Sequence, residues 1–115
     1  MSETLSSVDL SALTEELLTT ARSSRSGRAT HVFRAVKGGA LSQILLALAK
    51  GGTLSEHENP GEALLHVLRG RVELVAGSAA WELGANEHIV IPQERHSLLA
   101  QEESAVLLTV VKASA

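Results

Sequence analysis

Two histidines frame the chemistry open to this chain of 115 residues. His57 lies in the stretch Gly51-Gly52-Thr53-Leu54-Ser55-Glu56-His57-Glu58-Asn59-Pro60-Gly61-Glu62. His57 and Asn59 are two apart, so on an extended strand both belong to one face. That spacing lets a β-protein aim two donors at one ion. Glu62 follows the Pro60-Gly61 turn and is placed to add a carboxylate oxygen. His96 closes a second stretch, Ile89-Val90-Ile91-Pro92-Gln93-Glu94-Arg95-His96, in which a strand ends at Pro92, turns and returns. Asn59, His66 and Arg95 are the candidate ligand-binding residues. The guanidinium fork of Arg95 suits a carboxylate or phosphate. His66 sits inside an apolar run and shares strand parity with Leu64 and Leu68, so a regular strand turns it away from the face of Ala63.

Other chemistries are excluded more readily. There is no Cys, hence no disulfide, thiolate metal site or Cys nucleophile. No Gly-x-Ser-x-Gly, P-loop or Gly-x-Gly-x-x-Gly pattern is present. Ten Lys and Arg against thirteen Asp and Glu give a net charge of −3, which argues against nucleic acid as the main partner. Phe33 and Trp81 are the only aromatic residues, too few for base-stacking platforms. The longest uncharged apolar run, Leu41–Ala49, is about half of what a membrane span needs. The first thirty residues lack the basic and apolar blocks of a signal peptide, so the expected location is the cytoplasm.

The elements that must position these residues follow from periodicity. Val8, Leu10, Leu13, Leu17, Leu18 and Ala21 recur at helical spacing, with Ser7 or Asp9 as N-cap, and predict an amphipathic helix over about 8–22. Arg22–Arg28 reads as a polar loop. Residues 22–37 carry Arg22, Arg25, Arg28, Arg34 and Lys37 with no acid, a solvated basic face or an anion contact. From Thr30 onward the pattern is β. Short apolar runs at 31–36, 41–49, 53–57, 64–75, 79–83, 88–91, 96–100 and 105–111 are separated by Gly, Asn and Pro turns. The run 64–75 is two strands or one bent strand, with Gly70 at the bend. The run Leu41–Ala49 reads as a strand buried on both faces. Many short strands with regular turns imply a sandwich or barrel. One domain is expected, with a helix and linker over 1–29 and a barrel over 30–115.

These residues resemble the two motifs of the cupin superfamily. Gly51, five residues, His57, one residue, then Asn59 and a closing Gly70 are similar to the first motif, in which a second His stands at the Asn59 position. Counted back from Gly70, the motif's Glu falls on Ala63, and Glu62 is one residue early. In the second motif Asn86 stands for the opening Gly, Pro92 matches, the loop is one residue short, and His96 takes the His place. Glu94 replaces the second Gly and Ala100 the closing Asn. Asn86 for Gly is mild, because Asn tolerates positive φ. HVLRGRVEL and VIPQERHSLLA carry most of the likeness, which spans about 30–112 and is closest to small single-domain bacterial cupins with a His-Glu-Asn-Pro-Gly-Glu stretch.

The resemblance implies an all-β fold, an antiparallel double-stranded β-helix or jelly-roll barrel, with one N-terminal α-helix added. It implies a homodimer, and a divalent transition metal (Zn, Fe, Ni or Mn) in the barrel mouth, with His57 and His96 as direct matches to its ligands. Asn59 is then a weaker substitute donor, and the carboxylate ligand is lost at Ala63 unless the turn at Pro60-Gly61 shifts Glu62 into its place. A barrel without metal, its histidines serving as hydrogen-bonded polar groups, stays open. Three functions follow: a binding protein for a small-molecule ligand, a metal-dependent enzyme of dioxygenase or isomerase type, or a regulatory or structural module whose mouth is plugged by Leu and Val.

Overall fold

A computed structural model of the chain describes residues 7–57 and 61–111. Among these described residues there is one helix, α1 Leu10–Ser23, and nine strands follow: β1 Arg28–Ala35, β2 Leu41–Leu48, β3 Thr53–His57, β4 Ala63–Arg69, β5 Arg71–Ala76, β6 Ala79–Gly84, β7 His88–Val90, β8 His96–Ala100 and β9 Ser104–Val111. The strands pair antiparallel in two sheets, ordered β1-β2-β9-β4-β7 and β3-β8-β5-β6. This is the jelly-roll arrangement expected of the sequence. β1 begins at Arg28, slightly earlier than the sequence pattern indicated.

The core lies between the sheets. Leu46 and Leu48 of β2, Leu65 and Val67 of β4, and Val106 of β9 meet Val72 and Leu74 of β5 and Leu98 and Ala100 of β8. Alternate residues along β4 explain the selection. Ala63, Leu65 and Val67 are buried while Leu64 and Arg69 are exposed, the period-two pattern of a strand with one wet face. The sheets are tied at one edge by Arg28, whose Nη1 donates to the Thr53 carbonyl at 3.1 Å.

β2 departs from alternation, as its apolar run predicts. Leu45, Leu46, Ala47 and Leu48 are all buried. The second cover is α1, which packs Leu18 and Ala21 on Ala29 and Ala47. Asp9 caps the helix by accepting from the Ala12 amide at 3.1 Å. Arg22 in its last turn donates two hydrogen bonds to the Glu103 carboxylate, at 2.7 and 2.6 Å, and Arg69 pairs with Glu15 at 2.7 Å. Both contacts pin the helix to the barrel.

Gly70 turns β4 into β5 at φ 88°. A Cβ there would collide with the Glu103 carbonyl and with Ser104, whose buried hydroxyl accepts from the Arg71 amide at 3.0 Å. Gly70→Ala is therefore expected to lower unfolding free energy by about 2 kcal/mol or more, through positive φ and the displaced β8–β9 connection. Urea titration checks this, and a midpoint equal to wild type would contradict the crowding.

The Arg22 hydrogen bonds hold the Glu103 carboxyl below its usual range, aided by the charges of Arg22 and Arg69 and opposed by partial burial. A depressed carboxylate contributes stability above its unfolded pKa and loses it as pH falls through the folded value. Wild type should exceed Glu103→Gln in urea midpoint at pH 7, and the difference should close as pH falls below about 4.5. A gap that does not narrow at all as pH falls below that value would refute the linkage.

Candidate functional site

The site is built where β3 runs antiparallel to β8. Thr53 opposes Leu99 and Leu54 opposes Leu98, but the next pair is His57 with His96. Three steps along β3 match two along β8, so β3 carries one extra residue there, a β-bulge. The bulge decides the chemistry of the position. In a regular ladder Glu56 would oppose His96; the inserted residue puts His57 there instead. Directly opposed positions of an antiparallel pair have Cβ atoms about 4.5–5.5 Å apart on one face. The backbone thus assembles the two positions that the sequence analysis singled out, from segments 39 residues apart. The side chain of His57, and all of Asn59, lie outside the described residues.

His96 is only 2% exposed. Its Nδ1 lies 2.8 Å from the Glu94 carbonyl, which can only accept, so Nδ1 is the donor. In the neutral ring this leaves the lone pair on Nε2, itself a buried atom. That is the orientation of a metal-ligating or ligand-accepting imidazole, with one nitrogen fixed by a backbone oxygen and the other presented inward. The turn supplying Glu94 follows from Pro92, and Ile91 just before it donates to the Ala63 carbonyl at 2.9 Å. Asn86 adopts φ 68°, the conformation anticipated for the residue in the Gly position of the second motif.

His96 borders a small cavity between the sheets, whose other walls include Leu54, Ala63, Leu65, Leu98 and Leu108. Its volume is about 20 Å³, room for about one water and too little for an organic molecule. Among the described residues the wall is apolar apart from His96. Ala63 is 1% exposed and lines this space. The position matching the family's carboxylate therefore faces the cavity and carries only a methyl group.

The remaining candidates are placed elsewhere. Glu62 is exposed and is not among the cavity-lining residues; its neighbour Ala63 is. Its carbonyl accepts from the Val111 amide at 2.9 Å, which fixes the strand start in the register that points Ala63 inward. The register shift lies between Leu54 and His57, where it sets the position of His57. His66 lies on the outer face of β4, as its parity implied, and its ring meets that of His88. His88 is a cross-strand partner through the β4–β7 ladder, a neighbour relation that spacing alone does not tell. Arg95 is exposed on the turn entering β8. Among the described residues no three His, Asp or Glu side chains gather to hold an ion, and no helix is long and apolar enough to cross a membrane.

The chain has the cupin fold. Similar solved structures include a conserved Streptococcus pyogenes protein of unknown function, 26% identical over 80% of each chain with a TM-score of 0.70. A cupin superfamily protein from Desulfitobacterium hafniense is 16% identical, covers 75% of this chain and 78% of its own, and has a TM-score of 0.69. KdgF from a Halomonas species is 15% identical, with coverage of 80% and 85% and a TM-score of 0.67. No family model matches the sequence, and no curated protein matches it.

Ala63→Glu tests the placement of the missing carboxylate. With chelator present, a carboxylate forced into the apolar cavity should destabilise by about 2 kcal/mol or more. Zinc or nickel should then raise the variant's melting temperature well beyond its effect on wild type, by an amount equivalent to about 2.7 kcal/mol at a hundred times Kd. No added metal response in calorimetry would mean that position 63 does not point at the histidine pair.

Proposed function

We propose that this chain is a binding cupin, which takes a small anionic ligand at the barrel mouth through a divalent transition ion held by His57 and His96. The observation that carries this reading is the bulged β3–β8 register, which sets the position of His57 opposite His96, itself a lining residue of an apolar cavity. Two imidazoles suit Zn, Fe or Ni better than the harder Mn. The donor chemistry therefore fits an ion, with Asn59 as the neighbouring weaker donor.

Charge then selects the ligand. Imidazole and amide donors are neutral, Ala63 contributes no charge, and Glu62 lies apart from the cavity wall. A divalent ion in a low-dielectric site needs compensation, and here the ligand must supply it. When bound, the ion offers an electrophilic point to which a carboxylate or similar anion attaches. The protein's own part is to hold His96 in one tautomer through Glu94, to keep the inner wall dry with Leu54, Leu65 and Leu98, and to present Arg95 on the adjoining turn. A cavity of about 20 Å³ leaves no room for the ligand inside, so it sits at the mouth.

A second reading, a metal-free regulatory or structural module, is favoured by the same small apolar interior, since Leu and Val side chains fill most of the barrel. Elemental analysis separates the two. Untagged protein grown with supplemented zinc and nickel should retain at least about one equivalent of ion per chain. His57→Ala and His96→Ala should each remove about one equivalent. Wild type that holds far less than one, or variants that match it, would eliminate the metal-linked reading and select the module.

A further inference from the structure

We propose a second cation site on the outside of the barrel, formed by His66 and His88, for a borderline divalent transition ion. It is independent of the reading above, because it lies on the opposite face of β4 from the cavity. His66 and His88 are direct partners in the β4–β7 ladder. Their ring centroids are 6.3 Å apart and the ring planes meet at 74°. His66 is half-buried and His88 exposed, so solvent reaches the space between them.

Geometry sets the test of fit. With metal–imidazole bonds of about 2.0–2.1 Å, an ion shared by two rings holds their centroids roughly 5 Å apart for a tetrahedral angle and about 6.4 Å for a linear one. The observed separation already falls inside that range. Small side-chain rotations close it toward the tetrahedral value without any movement of the backbone, which the ladder fixes. Flanking the pair, Leu64 opposes Val90, 37% and 63% exposed, and on the other side of β4 Leu107 of β9 opposes His66 on the same outer face. These apolar neighbours offer no competing charge. Two protein donors leave the ion's other positions to water or to a small ligand, and hold it less tightly than a four-donor site. Among first-row divalent ions the order of affinity places copper(II) first.

Copper(II) is therefore the probe, and its paramagnetism locates it. Substoichiometric copper added to untagged, 15N-labelled protein should broaden amide signals of β4 and β7 around residues 66 and 88. His66→Gln and His88→Gln should each weaken that local effect at least tenfold, while His96→Ala leaves it intact. The surface position of both side chains makes the Gln variants compatible with folding, which their spectra verify. Broadening that survives in either Gln variant, or that is absent from β4 and β7 in wild type, overturns the site. Broadening confined to β3 and β8 and lost in His96→Ala would support the mouth site alone, so the two proposals fail separately.

Discussion

Everything distinctive about this barrel depends on how β3 is laid against β8. Side chains alternate along a strand, so one inserted residue exchanges the two faces for everything beyond it. Between Leu54 and His57 that exchange happens once. Leu54 keeps its place over the cavity with Leu98, and the histidine takes the position that a regular ladder would give to Glu56. A carboxylate opposite the buried His96 would be an ion pair in a nearly dry setting. The bulge instead puts the position of His57 opposite His96. One residue of slack in an edge strand thus chooses between two different chemistries.

Ala63 sharpens the same choice. The Ile91 amide on its carbonyl and the Val111 amide on the carbonyl of Glu62 lock the start of β4 in register. In that register Ala63 lines the cavity and Glu62, one residue earlier, is exposed. The interior is consequently low in charge and small in volume, a setting in which the few polar atoms present dominate recognition.

The helix makes the outer surface of the five-stranded sheet part of the fold. By covering Ala29 and Ala47 it turns β2 into a strand buried on both sides, and the Arg22–Glu103 and Arg69–Glu15 pairs hold it there. Beyond its reach the same sheet face stays open, and there His66 and His88 stand side by side. What α1 leaves uncovered is as much a consequence of its length as what it buries.

Much of this was written locally. Helical spacing of Leu10, Leu17, Leu18 and Ala21, the capping Asp9, the bend at Gly70, the positive φ of Asn86 and the turn after Pro92 are short-range properties, set by sterics and by residue type. The unbroken apolar run of β2 likewise announced two buried faces, though not which element would cover the second. By contrast, strand partners are settled by the closure of the whole sheet. The juxtaposition of His66 with His88 joins residues 22 apart across an intervening hairpin, and the bulge that opposes His57 to His96 is visible only when both ladders are drawn. The amino-acid sequence by itself determined the strands, the turns and the residue types available for chemistry. Only the tertiary structure decided which of those residues meet, because pairing register is a collective outcome of packing two sheets around one core.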